Sequence, residues 1–115
     1  GNLVYSAAYP TQDMFTWTVV QSDSSNSTYY SFRYNTLNKE KSDVKKVQSL
    51  NVTGGTVQSA QEAVDKADEL PEIQNFRWDA YDPCINASYN GKEWKLTYFD
   101  VVDDGYRNNN IIVTV

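Results

Sequence analysis

The sequence predicts an α+β domain in which a curved antiparallel sheet of about five to seven strands carries one helix packed on a face. Three observations predict this fold. Several short stretches alternate apolar and polar residues, one longer stretch repeats apolar residues every three or four positions, and Asn90-Gly91 separates two alternating runs. Hydrophobic residues make up 40% of the 115-residue chain and charged residues 22%, as in a typical globular protein. Residues 1–115 are therefore assigned to a single α+β domain.

The first third of the chain is predicted to form an edge segment and a hairpin. Residues 1–10 have no clear period and contain Pro10, so they are expected to form a lead-in or a short edge strand. Residues 14–20 and 29–34 alternate, and the run 21–28 between them is rich in turn-forming residues. We expect these two strands to pair with one set of apolar and aromatic residues toward the core: Phe15, Trp17, Val19, Tyr30, Phe32 and Tyr34.

A charged segment and a third strand are expected next. Residues 38–46 are the most charged stretch of the chain and are interpreted as a solvated loop. The loop leads into a strand over residues 47–52, which Gly54-Gly55 ends.

One helix is predicted over residues 56–70, where apolar residues recur at spacings of three and four. Ser59 and Glu62 have the spacing of a capping box, although Thr56 is an equally good N-cap. Pro71 is expected to stop the helix.

The rest of the chain is predicted to form strands. Residues 75–81 alternate and Pro83 closes that strand. Asn90-Gly91 tolerates the positive φ angles of a type I′ turn and predicts a two-residue hairpin. Its register pairs Tyr89 with Lys92, Ala87 with Trp94, and Ile85 with Leu96. The apolar run 111–115 is expected to pair between other strands.

Composition restricts the classes of function. The chain has 10 basic and 15 acidic residues and a formal charge of −5, which argues against direct binding to nucleic acid or to anionic lipid. No stretch approaches the roughly 20 apolar residues of a membrane span, so membrane insertion is not expected. The chain has no histidine, which excludes Ser-His and Cys-His nucleophile pairs and imidazole metal sites.

The remaining chemical groups do not indicate catalysis or a cofactor. Cys84 is the only cysteine and has no imidazole or local basic cluster to activate it. Two suitably spaced carboxylates suffice for glycoside hydrolysis, so a small glycosidase is a third, weaker alternative. The candidates are acidic residues at strand ends and turns: Asp79, Asp82, Glu93, Asp100, Asp103 and Asp104. Asp100, Asp103, Asp104 and Asn108 do not match the spacing of an EF-hand. Ordinary turn chemistry explains both groups, so we expect no enzyme activity, no metal and no cofactor.

Tyrosines provide the best indication of a binding surface. Tyr29, Tyr81, Tyr89 and Tyr106 lie at strand ends, in turns or opposite a predicted core, where they are difficult to bury together. Exposed tyrosine is enriched at protein interfaces. The candidate binding residues are these four tyrosines together with Asp79 and Asp82.

Two segments resemble a known family. Ser59-Ala60-Gln61-Glu62-Ala63 in the predicted helix and residues 94–100 in the later strand are loosely similar to PepSY-type domains. The resemblance covers a minor part of the chain. It implies a secreted or membrane-tethered module that restrains a peptidase.

The sequence therefore predicts a non-catalytic protein-interaction or structural module, belonging to a surface or secreted protein or to a virion. Its partner is expected to be another protein that contacts an aromatic-rich sheet face or loops. The alternative is a small acidic inhibitor or immunity-type protein that binds a basic site on an enzyme. A homo-oligomer is a further option, for example through residues 14–20 as an edge strand.

Overall fold

The structure is a computed structural model that describes residues 5–11, 14–23, 28–53, 56–100 and 110–115. Seven strands and two short helices lie within these ranges. In chain order they are β1 (Ser6–Pro10), β2 (Thr16–Ser22), β3 (Tyr29–Asn35), β4 (Lys41–Asn51), α1 (Ala60–Ala67), α2 (Pro71–Asp79), β5 (Pro83–Tyr89), β6 (Trp94–Asp100) and β7 (Ile111–Thr114). The α+β class and a curved sheet agree with the prediction, whereas the single helix is replaced by two.

The seven strands form one sheet in the order β1-β2-β3-β4-β7-β6-β5. The terminal apolar run pairs between β4 and β6, as expected. All neighbouring strands are antiparallel except β4 and β7, which are parallel, so the expectation of a purely antiparallel sheet is wrong at this junction. A parallel pair requires a long crossover, and the helices with β5 and β6 provide it.

The sheet curls until it is nearly closed like a barrel. The Tyr9 ring of β1 stacks on Phe99 of β6, with centroids 3.8 Å apart, and its hydroxyl donates to Asn110. Tyr5, just before β1, shares a hydrogen bond with the hydroxyl of Thr97. These contacts join one edge of the sheet to strands near the other edge. They also leave β2 between β1 and β3, so residues 14–20 are not an edge strand.

Two apolar cores lie on opposite faces of the sheet. The outer core joins α1 and α2 to the outer side of β6 and β7: Ala63, Ala67, Ile73, Phe76, Leu96, Tyr98, Ile111 and Val113. The inner core lies inside the curl and contains Val20, Tyr29, Val47 and Ile112, with Tyr5 packed against it. Because successive residues of a strand point to opposite faces, β7 contributes to both cores.

Helix α1 begins later than the predicted helix because its N-cap is Ser59 rather than Thr56. The Ser59 side chain accepts a hydrogen bond from the backbone N–H of Glu62 at 3.1 Å. The Glu62 carboxylate reaches back to the N–H of Gln58, also at 3.1 Å. Of the two N-cap candidates in the sequence, the capping box is therefore the one that marks the start of the helix.

Helix α2 occupies the segment for which a strand over residues 75–81 was predicted, so that prediction is wrong. Pro71 lies at the start of α2, a position that proline favours, and it separates two helices instead of ending helical structure. Ile73 and Phe76 face the outer core three residues apart, at helical spacing. The alternation placed Phe76 and Trp78 on one face, but Phe76 lies on the buried side of the helix and Trp78 on the exposed side.

The hairpin of β5 and β6 forms, but its loop is longer than predicted. Tyr89 pairs with Trp94, and the Asn90 side chain accepts hydrogen bonds from the N–H groups of Lys92 and Glu93. This turn moves the register by two residues relative to the prediction. A shift of two preserves the faces, so Ile85, Ala87, Tyr89, Trp94, Leu96 and Tyr98 still share one side.

Strand β4 begins earlier than predicted because the charged residues 41–46 belong to it. They pair with β3 across a register irregularity and keep their side chains exposed. Their high charge reflects solvent exposure on a strand, not a loop.

Candidate interaction surface

Five residues of β2 and β3 form a surface that we call the outer aromatic face: Trp17, Val19, Tyr30, Phe32 and Tyr34. Trp17 lies opposite Tyr34, and Val19 opposite Phe32, so these side chains share one side of the sheet. The intervening residues on these strands point to the interior and are buried: Thr18, Val20, Ser22, Tyr29 and Ser31. The expected orientation of this hairpin, with the aromatic set in the core, is therefore reversed.

Hydrogen bonding in the interior explains the reversal. Lys95, which is buried, donates from Nζ to the Tyr29 hydroxyl at 2.7 Å and to Thr114 Oγ1 at 2.9 Å. The Ser22 hydroxyl accepts a hydrogen bond from the backbone N–H of Tyr5 at 3.0 Å. Polar side chains can occupy an interior when they are hydrogen-bonded. The curl supplies these partners to Tyr29 and Ser22, whereas Thr18 Oγ1 is buried without a hydrogen-bond partner among the described residues.

The outer aromatic face belongs to neither apolar core. Tyr30 keeps 42% of its surface exposed, and the other four side chains are partly exposed. On β1, the small exposed residues Ala8 and Pro10 lie opposite Val19 and Trp17. On the β1 side, the face is therefore bordered by small side chains. Its rings have neighbours across the strands that restrict their conformations.

Lysines border the same face on the β4 side. Lys41 lies opposite Tyr34, and its Nζ sits over the Phe32 ring, 4.3 Å from the centroid. Lys46 lies opposite Tyr30. A cation above an aromatic ring is held by the ring quadrupole, which keeps a positive charge at the edge of the apolar surface.

The predicted binding tyrosines do not come together. Tyr29 is only 2% exposed and belongs to the inner core, so it is not a surface residue. Tyr81 is 60% exposed and lies between α2 and β5. Tyr89 is 54% exposed and packs against Trp94, with ring centroids 5.0 Å apart. Tyr106 lies outside the described residues.

Four residues define a surface that we call the α2–β5 corner: Trp78, Asp79, Tyr81 and Asp82. Asp79, Tyr81 and Asp82 were predicted, and Trp78 was not. Trp78 is 90% exposed, and the two carboxylates are exposed beside it. The buried carboxylate of Asp100 accepts hydrogen bonds from the N–H groups of Tyr81 at 2.8 Å and Asp82 at 2.9 Å. The backbone of the corner is therefore held in a fixed position.

Tyr89 lines a separate open groove of about 470 Å³. Its other lining residues are Val52, Thr53, Thr56, Val57, Lys92, Glu93, Trp94 and Val115. Trp94 Nε1 is buried without a hydrogen-bond partner in the described part of the chain. The Nε1 atom has no contact with solvent, so it is not presented to a molecule in the groove.

The described residues contain no cluster of three or more carboxylate, cysteine or histidine side chains that could hold a metal ion. Burial, together with the nearby charges of Asp82 and Asp100, raises the pKa of the Cys84 thiol, which disfavours the reactive thiolate. No helix in the described ranges is long and apolar enough to cross a membrane.

Comparison of the chain with protein-family models, curated proteins and solved structures finds no match. The likeness to PepSY-type domains therefore remains a likeness of short segments.

Sequence reasoning missed the surface position of Trp17, Phe32 and Tyr34 because it assigned them to the core. Both strands carry hydroxyl-bearing residues at alternate positions, such as Thr18 and Ser31. This pattern fits a polar interior with the aromatic residues outside as well as it fits an aromatic core. Trp78 was missed because its segment was predicted to be a strand.

Proposed function

We propose that the chain is a non-catalytic protein-interaction or structural module whose contact surface is the outer aromatic face. The observation that carries the proposal is that Trp17, Val19, Tyr30, Phe32 and Tyr34 share one side of β2 and β3 and belong to neither apolar core. Aromatic residues are enriched where protein interfaces bury their central contacts.

The packing of this face favours binding. Trp17 and Tyr34 are cross-strand neighbours, as are Val19 and Phe32. Because these neighbours already restrict the side chains, little conformational freedom is lost when a partner covers them. Lys41 and Lys46 add positive charge along one border. A border of this kind favours partners that present carboxylates around an apolar centre.

A second candidate is the small acidic inhibitor, and one observation favours it. Residues 60–82, which contain both helices, include seven acidic and two basic residues. Such a concentration could occupy a basic site on an enzyme, with an affinity that falls steeply as salt rises.

Capture with paired baits tests the proposed function. The wild-type chain, Tyr30→Ser and the control Tyr89→Ser are immobilised and exposed to extract of the source cells at low and high salt. Bound proteins are then quantified by mass spectrometry. Tyr30 and Tyr89 are both exposed, but only Tyr30 lies on the outer aromatic face.

We expect one protein to be retained in stoichiometric amount by the wild type and by Tyr89→Ser at both salt concentrations. Tyr30→Ser should retain it at least about fivefold less, as expected for an interface residue that contributes more than 1 kcal/mol. Equal retention by Tyr30→Ser would contradict the proposal. Complete loss at high salt would favour the acidic inhibitor.

A further inference from the structure

Charge is unevenly distributed along this acidic chain. Residues 33–46, at the junction of β3 and β4, contain five basic and two acidic residues. Residues 60–82, which include α1, α2 and the α2–β5 corner, contain seven acidic and two basic residues. Of these basic residues, Lys41 and Lys46 lie on the side of the outer aromatic face, whereas Lys45, opposite Ser31, lies on the other side of the sheet. One molecule thus carries lysines beside the outer aromatic face and an acidic sector around its helices.

The α2–β5 corner carries negative charge beside its rings, whereas the outer aromatic face carries positive charge beside its rings. It presents two exposed rings, those of Trp78 and Tyr81, together with the exposed carboxylates of Asp79 and Asp82. The outer aromatic face presents rings beside ammonium groups. Rings can pack on rings while the opposite charges pair at the border.

The two surfaces remain apart within one chain. The outer aromatic face lies on β2 and β3, whereas the helices pack over β6 and β7 on the other side of β4. Trp78 keeps 90% of its surface exposed and Tyr30 keeps 42%. Neither surface therefore covers the other in the monomer.

We propose that the outer aromatic face binds the α2–β5 corner of a second copy of this chain. Trp78 and Tyr81 of one copy pack on the rings of the next, and Lys41 and Lys46 face Asp79 and Asp82. The contact joins two different patches, so it is heterologous and each copy offers both halves. This inference rests on the proposed function, because it assigns a partner to the same face.

Sedimentation velocity on the full chain tests the proposal. We expect the wild-type mass to rise between about 10 µM and 1 mM protein at low salt. The rise should weaken near 1 M salt, where the Debye length falls to about 3 Å. Trp78→Ser should also weaken it at least about tenfold. Trp78 is exposed, so its replacement should leave the monomer folded.

A charge swap then identifies the two patches. The double variants Lys41→Glu/Lys46→Glu and Asp79→Lys/Asp82→Lys should each associate with themselves at least about tenfold more weakly than wild type. Mixed in equal amounts, they should associate again, because an acidic face then meets a basic corner. Lys92→Glu, in the exposed β5–β6 turn, reverses one charge outside both patches and should associate like wild type.

A wild type that stays monomeric throughout, or a mixture that fails to associate, would overturn the inference. If the wild type is monomeric but Tyr30-dependent capture of another protein succeeds, the inference fails and the proposed function stands. Self-association that survives both charge reversals would remove both patches from the contact between copies.

Discussion

At the scale of residues, buried polar groups hold the inward side of β3 and the backbone of the α2–β5 corner. Lys95 donates to Tyr29 and Thr114 inside the curl, and Asp100 accepts from two backbone N–H groups at the α2–β5 corner. Both residues are buried. The sequence did not single out Lys95, and it offered Asp100 only as a candidate carboxylate at a strand end, because a lysine or aspartate in a strand shows neither its burial nor its partners.

Tyr98 makes a residue-scale prediction about alkaline stability. Burial raises the pKa of its hydroxyl above the usual range, and Asp68, which accepts its hydrogen bond at 3.2 Å, raises it further. The folded state therefore favours protonated Tyr98. The resulting stabilisation is present below about pH 10, the pKa of unfolded tyrosine, and is lost as pH rises above it.

We expect the free energy of unfolding to fall more steeply above about pH 10 in the wild type than in Tyr98→Phe, by up to about 1.4 kcal/mol per pH unit. Near neutral pH the variant should be less stable by about 1 kcal/mol, because it lacks the hydrogen bond to Asp68. Urea unfolding at a series of pH values measures both effects. Burial also raises the pKa of Tyr5, so the variant should keep some slope. Parallel pH profiles for the two proteins would contradict the assignment.

At the scale of elements, the sequence predicted a feature reliably where the residues that form it are close together in the chain. The capping box of α1 was visible because Ser59 and Glu62 are three residues apart. The faces of the β5–β6 hairpin were also correct, although its turn was not. The strand predicted over residues 75–81 failed because a short stretch shows both periods, and contacts of Ile73 and Phe76 with distant residues decide between them.

The cap of α1 gives an element-scale prediction with a matched control. Ser59→Ala removes the side chain that accepts from the Glu62 N–H and should lower the free energy of unfolding by about 1 kcal/mol. Thr56→Ala changes the other N-cap candidate, which is exposed and lies before the helix, and should change it by less than about 0.5 kcal/mol. Urea denaturation distinguishes the two. If Thr56→Ala lowered the free energy of unfolding more than Ser59→Ala, the N-cap of the helix would be Thr56 and not Ser59.

At the scale of the whole molecule, the curl of the sheet creates both the polar interior and the outer aromatic face. It depends on contacts between residues far apart in sequence, such as Tyr5 with Thr97 and Tyr9 with Phe99. The alternation in β2 and β3 predicted that each strand has two different faces. Only the contacts between distant residues show which of the two faces lies inside the curl. The α+β class and the curved sheet could therefore be predicted, whereas none of the predicted binding residues lies on the outer aromatic face. Three of them, Asp79, Tyr81 and Asp82, stay a prediction at the α2–β5 corner.

Hydroxyl-radical footprinting of the immobilised wild-type chain is the most direct test of the outer aromatic face. Oxidation of Trp17, Tyr30, Phe32 and Tyr34 is compared before and after the chain has bound protein from source-cell extract, with exposed Tyr89 as the internal reference. We expect the rates at the four face residues to fall at least about threefold relative to Tyr89, because an interface excludes water from its centre. Unchanged oxidation of Tyr30 in a chain that has bound a stoichiometric partner would show that the contact lies elsewhere.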